Sequence, residues 1–198
     1  VSRRAGRRLS QPHPAEVAKV FGFQLARARE ARVAFESGSP ATAAQIAALR
    51  PDTVVLATGS TMRRPPLAAD GDPGVDAWSL VADLGAAPGK RGGTAVLFDH
   101  DHGAGVYALA DLLASTYDRL VIITPRTQLG RNVAYVGLLG VYRRLYRAKV
   151  EIVVAALPRR FAAGRVAYPN AFTGEQRTID DAALFAYATP RIPTDGPP

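Results

Sequence analysis

The sequence predicts an α/β fold: short apolar strands forming a parallel sheet, with helices packed on it. Three observations carry this. The runs 94–98 (TAVLF), 118–124 (DRLVIIT) and 150–157 (VEIVVAAL) are apolar without alternation, the pattern of strands buried on both faces. Helical stripes lie between them. The strand–turn–helix–strand unit from 94 to 124 spans about 30 residues, the length of one mononucleotide-binding half of a doubly wound sheet.

The elements follow in order. Residues 14–36 read as a helix, with Pro14 in its first turn and Val17, Val20, Phe21, Leu25 and Ala28 on one stripe. A short helix is expected at 40–49. The run DTVVLATGS (52–60) reads as a buried strand ending in a tight glycine turn. Residues 61–75, rich in Pro, Gly and Asp, read as a connector. A helix over 75–85 and a turn over 88–93 precede the strand 94–98. Then come the loop 99–103, a helix at 104–115 and the strand 118–124. The next helix is expected at 132–150, on apolar Val136, Leu139, Val141 and Leu145, and the next strand at 150–157. Residues 165–172 and 183–189 read as strands around the turn TGEQ, and the tail PRIPTDGPP as irregular. There is no internal repeat.

Composition narrows the chemistry. The 198 residues contain no cysteine, which excludes disulfides, a thiolate nucleophile and an iron–sulfur cluster ligated by this chain. That fits a cytoplasmic chain. The net charge is +8, with 22 arginines against 3 lysines spread along the chain. The tightest clusters are Arg3, Arg4, Arg7, Arg8 and Arg143, Arg144, Arg147. No basic run is interleaved with aromatics, so the reading is no nucleic acid; an acidic partner chain or a nucleotide phosphate accounts for the charge as well. No window of about 18 apolar residues marks a membrane span. The opening VSRRAGRRLS lacks the apolar core of a signal peptide.

The stretch DHDHGAG (99–105) concentrates the candidate chemistry. Asp99, His100, Asp101 and His102 are adjacent, and adjacent side chains point in different directions, so they do not converge on one metal ion. No G-x-S-x-G occurs, Ser60 reads as a small turn residue, and no catalytic residue is identified. Nucleotide binding needs a strand, a tight turn and a helix whose unpaired N–H groups face a phosphate. Gly103, Ala104 and Gly105 open such a helix, and Ala110 is a candidate for close helix–strand packing. Asp99 ends the strand and Asp101 lies in the turn, where carboxylates repel a pyrophosphate but can hold ribose hydroxyls or cap the helix. Arg126 stands at the end of the second strand, where NAD sites place an acid. It could meet a 2′-phosphate or stack on adenine, or it is a solvated arginine.

Two segments in this order, RPDTVVLATGS and PGVDAWSLVADLGAAPGKRGGTAVLFDHDHGAGVYALADLLA, resemble the C-terminal half of the trimethylamine dehydrogenase / 2,4-dienoyl-CoA reductase family of old-yellow-enzyme-class flavoproteins. LVIITPR and GVYRRLYRAKVEIV continue the likeness, which covers most of 45–190. The resemblance implies a Rossmann-like three-layer nucleotide-binding domain of glutathione-reductase type, plus an incomplete segment of a neighbouring FAD/ADP-type domain. The implied boundaries are 1–75 for that segment, 76–160 for the second nucleotide domain and 161–198 for return strands and tail. Ala57, Thr58 and Gly59 would lie against FAD or ADP; Asp99, Gly103, Ala104, Gly105 and Arg126 would mark a second site for NAD(P)H, or a copy of the fold that binds nothing. FMN and [4Fe–4S] would reside on a partner chain, a larger flavoprotein subunit that brings a TIM barrel and the missing half of the FAD/ADP domain. The implied whole is a hetero-oligomeric, flavin-dependent oxidoreductase that oxidises or N-demethylates an amine. The alternatives are a ligand-free assembly subunit and the NAD(P)H-binding subunit of an enoate or dienoyl reductase.

Overall fold

A computed structural model describes residues 14–194. Its centre is a five-stranded, all-parallel sheet in the order β2-β9-β3-β4-β5. The strands are β2 (Val75–Asp76), β3 (Thr94–Asp99), β4 (Arg119–Ile123), β5 (Glu151–Val153) and β9 (Ala182–Ala188). Every residue of β3 is buried, as its unbroken apolar run requires.

Alternation along each strand separates two cores. Ala95, Leu97, Leu120, Ile122, Ala186 and Ala188 face one side. There they pack under α3 (Ala77–Ala86), α4 (Ala104–Thr116) and α5 (Tyr135–Arg147), through residues such as Leu80, Leu84, Leu109, Leu113 and Leu145. Val96, Phe98, Val121, Ile123, Phe185 and Tyr187 face the other side. They meet Phe161, Val166, Tyr168 and Ile179 of an antiparallel meander: β6 (Arg160–Ala162), β7 (Arg165–Pro169) and β8 (Gln176–Ile179). The layers are thus helices, parallel sheet and meander, the three-layer α/β architecture expected.

Several elements differ from expectation. The strand expected at 150–157 stops at Val153. Ala155 turns to φ 51°, and Ala156 bridges to Asn170, so the chain leaves the sheet for the meander. Residues 183–189 are no hairpin partner of 165–172. They form β9, which inserts between β2 and β3, so the sheet draws on the 76–160 and 161–198 segments alike. The partners of β7 are β6 and β8, the latter a polar strand exposed over Gln176–Thr178. The tail contains β10 (Arg191–Pro193), which pairs antiparallel with β1 (Ser60–Met62). This ribbon is locked by Thr194 N–H to the Gly59 carbonyl at 2.9 Å, by the Thr58 hydroxyl to the Thr194 carbonyl at 2.8 Å and by the Thr189 hydroxyl to the Arg63 carbonyl.

The largest difference lies before the ribbon. The first helix, α1, spans Pro14–Glu30 and the second, α2, Ala43–Ala48. A capping box explains the start of α2: Thr42 accepts from Gln45 N–H while the Gln45 side chain accepts from Thr42 N–H. The buried strand expected over 52–60 does not form. Residues 53–58 belong to no helix or strand, with Val54, Val55 and Leu56 exposed to 49%, 84% and 59%. Between 18 and 58 no residue is buried. The apolar run has no sheet to enter among the described residues.

A segment in which no residue from 18 to 58 is buried contributes little to cooperative unfolding. Deleting residues 1–57 is therefore expected to leave the thermal midpoint within about 2 °C of the full chain, measured by circular dichroism. A drop of about 10 °C would show that the segment packs on the sheet.

Candidate nucleotide site and the turn at Asp99

The carboxyl end of β3 lies beside that of β9, where β4 and β2 diverge to either side. In open parallel sheets this is where ligands bind. Asp99, the last residue of β3, is completely buried. Its Oδ1 accepts from His102 N–H at 2.8 Å, and its Oδ2 accepts from the Tyr107 hydroxyl at 2.6 Å. The Tyr107 oxygen in turn accepts from Gly130 N–H. One buried carboxylate thus joins the strand, the turn, the second turn of α4 and the loop after β4. Burial raises the Asp99 pKa, against the opposing pull of Tyr107 and His102; burial and the nearby Asp99 charge raise that of Tyr107.

His102 is buried as well and takes φ 58°, an uncommon backbone for this residue type. Its Nδ1 lies 3.6 Å from Asp99 Oδ2 with no hydrogen bond, and its Nε2 is 3.4 Å from the Thr124 hydroxyl. Asn132 closes the turn from outside. Its side-chain amide donates to the Asp101 carbonyl at 2.7 Å and its N–H to the His102 carbonyl at 3.2 Å.

The helix start is arranged differently from the expectation. Gly103 is the N-cap of α4 and no side chain caps it. Asp99 holds the turn rather than helix N–H groups, because its oxygens are already taken. Asp101 Oδ2 comes within 2.8 Å of where a Gly103 Cβ would stand, which sets a carboxylate beside the helix N-terminus. A Cβ on Gly105 would stand 2.8 Å from the Trp78 ring. The missing side chain there makes room for an indole from α3. Trp78 is fixed by the start of its own helix, where Asp76 accepts from Trp78 and Ser79 N–H, both at 3.1 Å. Arg191 of the β1–β10 ribbon lies over its ring at 4.9 Å.

The residues singled out in the sequence fall in two places. Ala57, Thr58 and Gly59 enter the ribbon, and Gly59 has φ 89°, a conformation that favours glycine. Asp99, Gly103, Ala104, Gly105 and Arg126 gather at the carboxyl edge of the sheet. Arg126 is exposed just beyond β4, near enough to His100 to help burial lower that imidazole's pKa. The chain of contacts between the two places runs through Arg191 and Trp78. Sequence reasoning missed Trp78, Tyr107, Thr124 and Asn132. A tyrosine one turn inside an apolar helix, after a strand-terminal aspartate, was the available signal for Tyr107.

With this geometry in view, the comparisons are specific. The chain superimposes on 6-hydroxypseudooxynicotine amine oxidase from Pseudomonas geniculata N1 with a TM-score of 0.78 at 18% identity, over 96% of this chain and 29% of that one. Histamine dehydrogenase from Rhizobium sp. 4-9 gives 0.74 at 22% identity, over 95% and 30%. The fold is that of the C-terminal region of amine-dehydrogenase-like flavoproteins. In sequence, the chain is 26% identical over 145 residues to a protein of Rhizobium meliloti (strain 1021) named Probable N-methylproline demethylase, covering 72% of this chain. It spans about a fifth of that relative's length. No protein-family profile matches the chain. No helix among the described residues is long and apolar enough to cross a membrane.

Two measurements check the site. The Gly105→Ala variant should lose about 1–3 kcal/mol in urea unfolding, and Trp78→Leu in the same background should recover part of it. Additive losses would mean that the indole is not the obstacle. For Asp99, a raised folded pKa means that the folded state holds the proton more tightly than the unfolded chain. The resulting stability is complete below pH 3.8 and is lost as pH rises through the folded value. The stability of the wild type relative to Asp99→Asn should therefore fall as pH rises above about 4, then level off. A pH-independent difference would contradict this burial argument.

Proposed function

We propose that this chain is the small subunit, or the C-terminal part, of a flavin-dependent oxidoreductase that oxidises an amine, of the N-demethylating kind. The observation that carries the reading is the exposed run Val54–Val55–Leu56 immediately before Ala57, Thr58 and Gly59. An apolar strand with no sheet belongs to a domain completed by further protein. The likeness to amine-oxidising enzymes between three and four times this length supplies the kind of protein.

In this reading a larger flavoprotein subunit or segment brings the TIM barrel, FMN, [4Fe–4S] and the missing half of the FAD/ADP domain. Where that subunit is a separate chain, the assembly is a hetero-oligomer. This chain has no cysteine for the cluster. The flavin supplies hydride acceptance from the amine. This chain's part is to close the adenine-nucleotide domain. Ala57, Thr58 and Gly59 fit that role, because small side chains and the backbone of Gly59 let the turn approach a nucleotide closely.

The second turn fits a pyrophosphate poorly. Gly105 has its space filled by Trp78, Asp101 sets negative charge at the helix N-terminus, and Asp99 is committed to Tyr107 and His102. On this reading the second domain keeps the fold for shape and docking, and binds no NAD(P)H at Gly103, Ala104 and Gly105.

The test is thermal unfolding of the assembled enzyme with FAD, ADP, NADH and NADPH. Saturation at a hundredfold excess over Kd adds about 2.7 kcal/mol of apparent stability. FAD or ADP should give such a shift, and neither nicotinamide nucleotide should. A shift with NADPH that Arg126→Ala abolishes would favour the enoate-reductase reading. No shift with any of the four would favour a ligand-free assembly subunit.

A further inference from the structure

We infer that Arg191 is a positioning residue for Ala57, Thr58 and Gly59: its guanidinium, seated on the Trp78 ring, holds the β1–β10 ribbon at a fixed angle to the finished domain. For the nucleotide at Ala57–Gly59 the inference rests on the functional reading above. The ribbon needs such a hold. It has two strands of three residues, and a two-stranded ribbon of that size is marginal in water. Its ladder bonds join the strands only to each other. Arg63 N–H to the Pro190 carbonyl at 3.1 Å and the Thr189 hydroxyl to the Arg63 carbonyl close its base. None of these bonds sets its tilt, so side chains must. Met62 and Arg191 are paired in register, and residues directly opposed in an antiparallel pair share a face. That face is turned to the finished domain. Met62 packs against both cores, whereas Thr61 and Ile192, one residue along each strand, are exposed.

The two inner side chains hold one strand each. Met62 anchors β1 by apolar contact. On β10 the hold is Arg191, whose guanidinium carbon lies 4.9 Å from the centre of the Trp78 ring, a cation–π distance. Among the described residues Arg191 has no carboxylate partner. Paired strands stand about 4.8 Å apart, so without Arg191 the ribbon is free to rock about the strand that Met62 holds. The ring beneath is a fixed support. Asp76 pins the start of its helix, and Gly105 lacks the Cβ that would stand 2.8 Å from it. Three residues beyond Arg191, Thr194 N–H donates to the Gly59 carbonyl, and the Thr194 carbonyl accepts from the Thr58 hydroxyl. Rocking of β10 therefore passes directly to Thr58 and Gly59. Backbone hydrogen bonds are held within about 2.7–3.2 Å, so a shift of about 1 Å there costs affinity for whatever the backbone binds. One indole thus fills the space at Gly105 and steadies the segment before β1.

The test compares Arg191→Ala and Arg191→Lys with the wild type. Arg191 is exposed, so both variants should fold, with thermal midpoints within about 2 °C of the wild type. Amide exchange of the full chain is followed by mass spectrometry, and the assembled enzyme is titrated with ADP by calorimetry. Arg191→Ala should speed exchange over 58–63 and 191–194 about three- to fivefold, the factor that an exposed cation–π contact supports, and leave β3 and β4 unchanged. Acrylamide quenching of Trp78, the only tryptophan, should rise in the same variant. ADP should bind about threefold more weakly, because a smaller fraction of the ribbon is seated. Arg191→Lys keeps the cation and should restore exchange and affinity to within about 1.5-fold. Unchanged ribbon exchange in Arg191→Ala would overturn the inference. So would faster exchange with unchanged ADP affinity, since the contact would then order the ribbon without positioning Ala57–Gly59. A lysine that restores neither would overturn it as well. If the wild-type assembly binds no ADP, the functional reading fails, and exchange alone decides whether Arg191 seats the ribbon.

Discussion

The interaction on which the rest of the molecule depends is the burial of the Asp99 carboxylate. A carboxylate fully removed from water costs several kcal/mol unless its oxygens are hydrogen-bonded. Here a backbone N–H from the turn and a phenol from the helix meet that requirement, and the same phenol takes the N–H of Gly130. Satisfying one group therefore fixes the strand end, the turn conformation, the seating of α4 and the loop that carries Asn132 back over the turn. The turn becomes a rigid internal joint. On the proposed reading its N–H groups stay closed to a pyrophosphate, since Asp101 and Trp78 stand beside the helix start.

This places the constraint on function elsewhere. The parallel sheet is complete, with both faces covered by helices and meander. The residues before the ribbon are the reverse: from 18 to 58 none is buried. Thr58 and Gly59 are tied by backbone and hydroxyl bonds to Thr194, so the two strands that cross to the incomplete segment leave the finished domain side by side. A nucleotide bound at the Ala57–Gly59 turn would thus rest on a segment whose geometry comes partly from the ribbon and partly from whatever completes the sheet. Arg191 over Trp78 is the contact through which the ribbon touches the turn region.

Much of this was legible in the sequence. The central strands, α3, α4 and the turn between them follow from apolar runs and small residues, because local pattern and final burial agree there. The run VVLA reads as a buried strand from its composition, but among the described residues no strand pairs with it. The meander strands β6 and β8 escaped because RFA and QRTI are short and mostly polar, with one face in water. β10 escaped because prolines flank it and its partner is far away in sequence. Asp99 and the glycines stand out in the sequence, but the bonds of Asp99 to Tyr107 and to His102 N–H do not. Tyr107 reads as another apolar helix position until the fold brings its hydroxyl to the strand end. Trp78 reads as part of the α3 stripe until α3 and α4 pack.

The central claim is that the adenine nucleotide sits at the first turn and that the second is closed. The most direct measurement is a structure of this chain in complex with the protein that completes its first domain, solved with ADP present. The account predicts density for the nucleotide against Ala57, Thr58 and Gly59, with residues 53–58 paired into a sheet and Trp78 still seated on Gly105. Density for a pyrophosphate against Gly103, Ala104 and Gly105, with Trp78 displaced, would contradict it.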